Sequence, residues 1–528
     1  MKTNSKIIFL AIAAFYAAGN FIWWILNTPV YPYGFSTLHF LDIFNSDYFF
    51  DNAPLLTYIT KSMFAVFGKK YFDLIIIFIN YIFFLIPLYF IYKIGKELKD
   101  NEAGNTAMIL FALVPAVYGM SRQYGHQDYH IMAAITFNIY CLIKTKYFTN
   151  LKWSLLYGIS AGLGLLVKDA FIAFFIVPFI VSAAKALRNN SGTAAITNLT
   201  ASLLALIPLS FLHYARPGII KKILYEPSTE PVNMSFENIR AITLGLYDEL
   251  LSLPIFILFA AGIFWYIKEY KNKYKYLLLL WFFIPWTVIT LMPHHKQAEY
   301  GAGFIPAMIL IAAIYVSNLK SVHLKKTLLA IIIILGIMQY IDFSYRINLG
   351  FSRISTRLAG PEIRYYAKYG RNIIFYDANT VKKPETIVNC LKNYNDVRNK
   401  RTVFVDVNLD DINSINIIMR LNGLNFTIIN DYAGCSDISG ADIIIRDVNI
   451  STQNKIDSFI HRINERKFKN KNTDIPDFIK NETVKLNARE KYIKEYFYKE
   501  QTLDFKGKNV NTVIFMRKNA NSDSIDKK

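Results

Sequence analysis

Trp153 to Ala184 reads WSLLYGISAGLGLLVKDAFIAFFIVPFIVSAA, 32 residues of apolar sequence broken at one place, Lys168-Asp169. As a single helix this stretch would run about 48 Å at about 1.5 Å per residue, too long for a hydrocarbon core of about 30 Å. The charged pair favours two helices that turn there. The choice matters beyond this stretch, because it sets on which side of the membrane every later loop emerges.

The rest of the chain supports a membrane reading. Of 528 residues, 53% are hydrophobic and 16% aromatic, yet 59 Lys+Arg oppose 39 Asp+Glu for a net charge of +20. A soluble nucleic-acid binder with that charge would not also have a positive mean hydropathy and runs such as Leu74 to Phe90. With 41 Phe, 35 Tyr and 3 Cys, disorder, collagen-like repeats and a disulfide-stapled miniprotein are excluded too.

About eleven apolar runs have the length of a bilayer span. They are Ile7 to Leu26, Leu74 to Tyr92, Ala103 to Met120, Tyr129 to Ile143, Trp153 to Val167, Ala170 to Ala184, Ala194 to Leu212, Leu250 to Ile267, Tyr276 to Met292, Gly301 to Ser317 and Thr327 to Phe343. The first is read as a retained helix and not a signal peptide, because Trp23-Trp24 ends it as an interfacial anchor where a cleavage site would need small residues.

With the N-terminus inside and eleven spans, the cytoplasmic segments hold 17 basic residues against four acids, and the opposite side up to residue 344 holds 10 against 13. Merging the two helices of the opening stretch would put the clusters at Lys268 and Lys320 outside, against the positive-inside rule. The expected protein is therefore integral to the plasma (inner) membrane, N-terminus cytoplasmic, with an all-α polytopic membrane domain over 1–344.

Beyond Ser344 the composition turns mixed. Short β-branched runs at Thr402 to Val407, Phe426 to Asn430, Asp442 to Asp447 and Asn511 to Met516 alternate with amphipathic helical patterns at Ile412 to Leu421 and Ile456 to Ile463. Residues 345–517 thus read as a small extracytoplasmic α/β domain and 518–528 as a disordered tail. Residues 345–528 together hold 32 basic residues against 22 acids, which suits contact with anionic headgroups. Cys390 and Cys435 either pair there or stay free, and Cys141 reads as a packing residue within a span.

Most external loops are short, so function is sought in the two long ones, 27–73 and 213–249, and in polar residues near them. Thr37 to Phe44 and Leu55 to Phe67 read as short amphipathic helices for the membrane interface. Asp42, Asp47 and Asp51 occupy the first loop, and Asp51 lies in the otherwise apolar Tyr48-Phe49-Phe50-Asp51-Asn52-Ala53-Pro54-Leu55. A carboxylate there needs a partner or a task.

Ser121 to His130, SRQYGHQDYH, places Arg122, His126, Asp128 and His130 at the external membrane edge, a group able to bind an anion, tune a base or hold a metal. Pro293 to Tyr300, PHHKQAEY, is a second such patch, with His295, Lys296 and Tyr300. Arg122, Lys168 and Lys296 supply cations suited to a phosphate. His126, His130, His294, His295 and Glu299 leave a divalent cation open, without the spacing of a known metal helix.

In this order the segments resemble the GT-C membrane glycosyltransferases, in particular the superfamily of protein O-mannosyltransferases and aminoarabinose lipid A transferases. Tyr48 to Leu55 followed by Phe67-Gly68 is similar to the family's "YFFDxHPPL…fG" stretch, and Ser121-Arg122 with Asp128 to its "SR…D" hairpin. Gly158 with Gly162 to Lys168 is similar to "G…GLGLLTK", and Glu299-Tyr300 to Pro306 resembles "RYllpllP". The sequence departs from the pattern where the family carries an early Asp-Glu pair, since Tyr31-Pro32-Tyr33 holds no acid, and at Ala53, Leu55 and Glu299.

The resemblance implies inverting transfer of a sugar from a polyprenyl-phosphate donor to an extracytoplasmic acceptor hydroxyl of protein, lipid or glycan, with no nucleic acid involved. Asp51 and Asp128 would be site members, and the base would come from Asp42, Asp47 or Asp128. Arg122, Lys168 and Lys296 would neutralise the lipid phosphate, with His126, His295 and Tyr300 beside the substrate. The loop from Arg216 to Glu249 would close over the site. A transporter or flippase of a lipid-linked sugar would instead carry charges deep in its spans, whereas nearly all lie at span ends; a membrane-anchored binding protein is the other alternative.

Overall fold

Apolar sequence and helix coincide through the first part of the chain. The computed structural model describes residues 3–27, 54–68, 71–122, 127–188, 192–215, 245–291 and 298–345, single residues at 239, 243, 347 and 349, and in the C-terminal part 386–392, 401–406, 426–430, 442–447, 493, 497–504 and 511–517. Two compact units result, Met1–Thr28 with Asn45–Tyr376, and Pro29–Phe44 with Asp377–Lys528.

The first unit is helical. It runs α1 (Thr3–Asn27), α2 (Leu55–Phe67), α3 (Phe72–Leu98), α4 (Asn101–Ala112), α5 (Pro115–Met120), α6 (Gln127–Thr145), α7 (Leu151–Val167), α8 (Ile172–Arg188), α9 (Gly192–Tyr214), α10 (Leu253–Glu269), α11 (Lys275–Leu291), α12 (Ile305–Asn318) and α13 (Val322–Tyr345). Short tighter or wider turns precede three of them: a 3-10 turn at Asp169–Phe171 before α8, a π turn at Leu246–Leu251 before α10, and a 3-10 turn at Ala298–Phe304 before α12.

Among the described residues six helical stretches are long and apolar enough to cross a membrane: Thr3–Ile25, Phe72–Leu98, Asp169–Arg188, Thr193–Phe211, Tyr300–Asn318 and Val322–Tyr345. The expected run Ala103 to Met120 is not one helix. Pro115 has no N–H to donate and disfavours the helical conformation of the residue before it, so Val114 is extended (φ −74°, ψ 122°) between α4 and α5.

The interfacial helix expected over Leu55 to Phe67 is α2. It ends at Gly68, whose φ of +83° and ψ of 153° only glycine adopts without strain, and whose N–H bonds to the Phe64 carbonyl at 2.9 Å. The companion helix expected over Thr37 to Phe44 lies outside the described residues, as does most of the loop 213–249.

α12 is the central helix, with Ile305 through Ile314 buried, and it packs against α10 and α4. α9 is the opposite case, with Leu203, Leu204, Ile207 and Phe211 exposed. Such a surface is unfavourable in water and natural against lipid. α9 lies close on α7 because α7 presents glycine at the crossing. A Cβ on Gly158 would stand 2.0 Å from the Ser202 carbonyl oxygen, and one on Gly162 2.9 Å from Leu209 Cβ. This spacing of small residues is a common way for membrane helices to approach closely.

In the second unit, β1 (Arg401–Asp406), β2 (Phe426–Asn430), β3 (Ile443–Asp447), β4 (Phe497–Asp504) and β5 (Asn511–Arg517) form one sheet in the order β2-β1-β3-β5-β4. β1 pairs in parallel with β2 and β3, while β5 is antiparallel to β3 and β4. Four strands match the expected runs. β4 does not, since FYKEQTLD mixes three charged residues into a sheet-edge strand whose polar face reads as loop. The helical patterns at Ile412 to Leu421 and Ile456 to Ile463, and the tail 518–528, lie outside the described residues. Cys390 carries a free thiol whose pKa burial raises, and Cys435, with which it could pair, is outside them.

Candidate functional site

The charged pair that splits the opening stretch sits at a sharp break in the backbone. α7 ends at Val167, and Lys168 is extended (φ −162°, ψ 137°), its N–H still bonded to the Gly164 carbonyl at 3.2 Å. Phe171 N–H then bonds to the Lys168 carbonyl at 3.0 Å and starts the next turn. The Phe171 ring folds back where a Cβ of Gly164 would stand, 2.4 Å from ring Cζ. Gly164 and Phe171 thus allow the abrupt reversal that leaves Lys168 at the end of the bundle.

There the Lys168 ammonium forms an ion pair with the Asp128 carboxylate, in the first turn of α6. It also lies 5.0 Å from the ring centroid of Tyr300, on the 3-10 turn that leads into α12. The placement of both charges agrees with the helix dipoles, an anion at the N-terminus of α6 and a cation at the C-terminus of α7. With only 18% of the lysine and 9% of the aspartate side chain exposed, the pair is partly shielded from water and its attraction correspondingly strong.

The 3-10 turn that carries Tyr300 is held from several directions. The Trp281 indole N–H of α11 donates to the Gly303 carbonyl at 2.9 Å, and a Cβ on Gly303 would meet the Phe174 ring of α8 at 2.5 Å. The π turn Leu246–Leu251 packs against the same segment.

Asp169, adjacent to Lys168, points its carboxylate elsewhere and accepts a hydrogen bond from the Tyr214 hydroxyl at 2.6 Å. Burial and then the Asp169 charge hold that hydroxyl well above the usual phenol range. Tyr214 ends α9, so this bond ties the α9 terminus to the turn that carries Lys168. Nothing in the sequence marked Tyr214 apart from its place at the end of an apolar run.

Arg122 is used differently from the expectation. It is fully buried and its guanidinium donates to Asn20 Oδ1 at 3.1 Å, Ser344 Oγ at 2.7 Å and the Tyr340 hydroxyl at 2.7 Å. It also faces the rings of Trp23 and Tyr340 at 5.5 and 5.1 Å. Its bonds therefore join α1 to α13 and do not enter the Asp128–Lys168 cluster.

His130 is likewise buried, with Nε2 2.9 Å from Asn80 Oδ1 of α3 and its ring edge-on to Phe83. Two positions apart on a helix means about 200° of rotation, so Asp128 and His130 look in opposite directions. Asp42, Asp47, Asp51, His126, His294, His295, Lys296 and the side chain of Glu299 lie outside the described residues. Among the described residues no three His, Cys, Asp or Glu side chains are grouped to hold a metal.

Asp73, at the start of α3, accepts from the Trp24 indole at 2.8 Å and anchors the end of α1, a role its place in the sequence does not mark. The signal was present in Trp24 as an interfacial aromatic, but its partner is 49 positions away.

Residues 51–214 match the family model described as dolichyl-phosphate-mannose-protein mannosyltransferase. That interval contains Asp51, Arg122, Asp128, Lys168 and Tyr214. The crystal structure of ArnT from Cupriavidus metallidurans bound to undecaprenyl phosphate superposes with a TM-score of 0.58 at 10% identity, covering 97% of this chain and 98% of that one. The apo form of ArnT from the same organism gives 0.53 at 12% identity, over 81% and 86%. No curated protein matches the sequence.

Proposed function

Starting from a membrane chain with the GT-C glycosyltransferase fold, we propose that this protein transfers a sugar from a polyprenyl-phosphate-linked donor to an extracytoplasmic acceptor hydroxyl, in protein, lipid or glycan. The observation that carries the reading is the Lys168 ammonium, held between Asp128 and Tyr300 at the end of the helical bundle. A leaving lipid phosphate gains negative charge as the glycosidic bond breaks. A preplaced ammonium in a partly dry site stabilises that charge more than it stabilises the intact donor.

In the reaction the acceptor oxygen forms a bond to the anomeric carbon from the face opposite the phosphate, which inverts the configuration. The bond from that carbon to the phosphate oxygen breaks, its electron pair stays on the phosphate, and the acceptor proton passes to a carboxylate. Asp128 already neutralises Lys168, so its role in this scheme is to hold the lysine in place. The proton then falls to the acids of the first long loop, Asp42, Asp47 or Asp51. The undecaprenyl phosphate named with one ArnT structure supports a polyprenyl carrier.

The positive-inside balance supports the N-terminus in the cytoplasm and the Asp128–Lys168 end outside. The reading is tested in isolated membranes supplied with polyprenyl-phosphate sugars labelled in the sugar. Label should appear in a cell-envelope fraction with wild type and fall to background with Lys168→Gln. Movement of intact donor across the bilayer without sugar release would place the protein among transporters instead.

A further inference from the structure

The far end of α6, α8 and α11 from Asp128 and Lys168 carries a groove that glycosyl transfer does not use. α8 and α11 pack together, and Val181, Leu277 and Leu280 give the groove an apolar wall. At its rim stand Lys185, in the last turn of α8, and Lys273, in the connection between α10 and α11. The Lys185 ammonium lies 5.5 Å from the Tyr147 ring centroid and 5.7 Å from that of Tyr276. Lys273 faces Tyr274 at 5.0 Å.

Two other lysines at this end are matched with acids, whereas Lys320 and Lys326 stand exposed away from the groove. Lys144 pairs with Glu97 at 2.9 Å and Lys325 with Glu102 at 3.0 Å. Lys185 and Lys273 have no carboxylate partner among the described residues, only aromatic faces, which leave the ammonium protons free for an anion. Tyr147 is presented over the groove by a left-handed turn of three non-glycine residues, Lys146, Tyr147 and Phe148 (φ 50°, 61° and 59°). Its hydroxyl donates to the Lys273 carbonyl at 3.0 Å and links the two rims.

We propose that this groove binds the phosphate headgroup of an anionic phospholipid, with Lys185 and Lys273 on the phosphate and an acyl chain along Val181, Leu277 and Leu280. Two unpaired cations above an apolar wall at a helix end complement such a lipid in both charge and depth. The inference rests on the membrane fold and is independent of the sugar-transfer reading. By the charge balance of the loops, the lipid would come from the cytoplasmic leaflet.

The test is lipid binding to the purified full chain in detergent, read by native mass spectrometry and by thermal shift, with phosphatidylglycerol, phosphatidylcholine and inorganic phosphate as separate probes. Phosphatidylglycerol should bind best, and Lys185→Gln with Lys273→Gln should weaken it by about thirtyfold, at about fivefold per lysine. Lys320→Gln with Lys326→Gln, exposed at the same end, should leave it unchanged. Equal binding by the Lys185/Lys273 pair variant, or inorganic phosphate binding as tightly as the lipid, would overturn the proposal. If that variant does not fold, the wild type decides by itself: no preference for phosphatidylglycerol over phosphatidylcholine refutes the site.

Discussion

Lys168 and Asp128, 40 positions apart, join the end of α7 to the beginning of α6 through an ion pair. Each residue lies at the helix terminus whose dipole favours its charge. The pair thus needs little reorganisation to present an ammonium at the bundle end, and its geometry depends on α7 stopping where it does.

Removing one partner should cost more than removing both. Asp128→Asn or Lys168→Gln alone leaves a charge without its counter-ion in a shielded site, which should destabilise by about 2–3 kcal/mol, below the range for fully buried pairs because part of each side chain is exposed. Asp128→Asn with Lys168→Gln should recover at least half of that loss. A double-mutant cycle on thermal unfolding in detergent measures it, and simple additivity would mean that the pair does not couple.

Arg122 should behave as a structural fork. Lysine keeps the charge but cannot reach Asn20, Ser344 and Tyr340 at once, so Arg122→Lys should lower stability by about 2–4 kcal/mol. Tyr340→Phe, which removes one of the three bonds, should cost about 1 kcal/mol. Unfolding temperatures that stay at the wild-type value for Arg122→Lys would return the arginine to the list of substrate ligands.

The two crossing glycines should differ. Alanine gains about 1 kcal/mol of helix propensity over glycine at either position. At Gly158 the new methyl meets a backbone carbonyl oxygen at 2.0 Å, which cannot rotate away, and the net change should be a loss of about 2–3 kcal/mol. At Gly162 the nearest atoms, Leu209 Cβ at 2.9 Å and the Leu206 carbonyl oxygen at 3.0 Å, stand farther off and need a smaller shift, so Gly162→Ala should come out milder. Chemical denaturation of both variants checks the order.

Tyr300 should act through its ring. Tyr300→Phe retains the face above Lys168 and should leave donor binding near wild type. Tyr300→Ala should weaken binding by about 1 kcal/mol, about fivefold in Kd. Equal losses for both variants, in a direct donor-binding assay, would assign the effect to the hydroxyl.

Much of this fold is legible because a bilayer constrains sequence so strongly. Among the described residues the expected spans fall on helical segments apart from breaks such as Val114, and the turn at Lys168-Asp169 follows from length and charge alone. The break at Val114 was legible as well, in Pro115, but hydropathy averages over it. Arg122 shows where single-sequence reading stops. An arginine in a polar hairpin has the appearance of an anion ligand, and only its distance in space from Asn20 and Ser344, 102 and 222 positions away, reveals a knot. His130 is legible in the sequence, since its two-residue offset from Asp128 on one helix already separates their faces. Tyr300 and Lys168 could be singled out by type, while their contact depends on the 3-10 turn that Trp281 and Phe174 clamp. β4 was missed because an edge strand need not be apolar.

The most direct test of the account is sugar release by purified, reconstituted protein from a polyprenyl-phosphate sugar, measured as free polyprenyl phosphate formed in the presence of acceptor extract. Wild type should turn over, and Lys168→Gln, folded and membrane-inserted, should lose about 100- to 1000-fold in kcat with a smaller change in KM, since the ammonium acts on charge that develops in the transition state. Turnover by Lys168→Gln at the wild-type rate would contradict the assignment of Lys168 to the leaving phosphate.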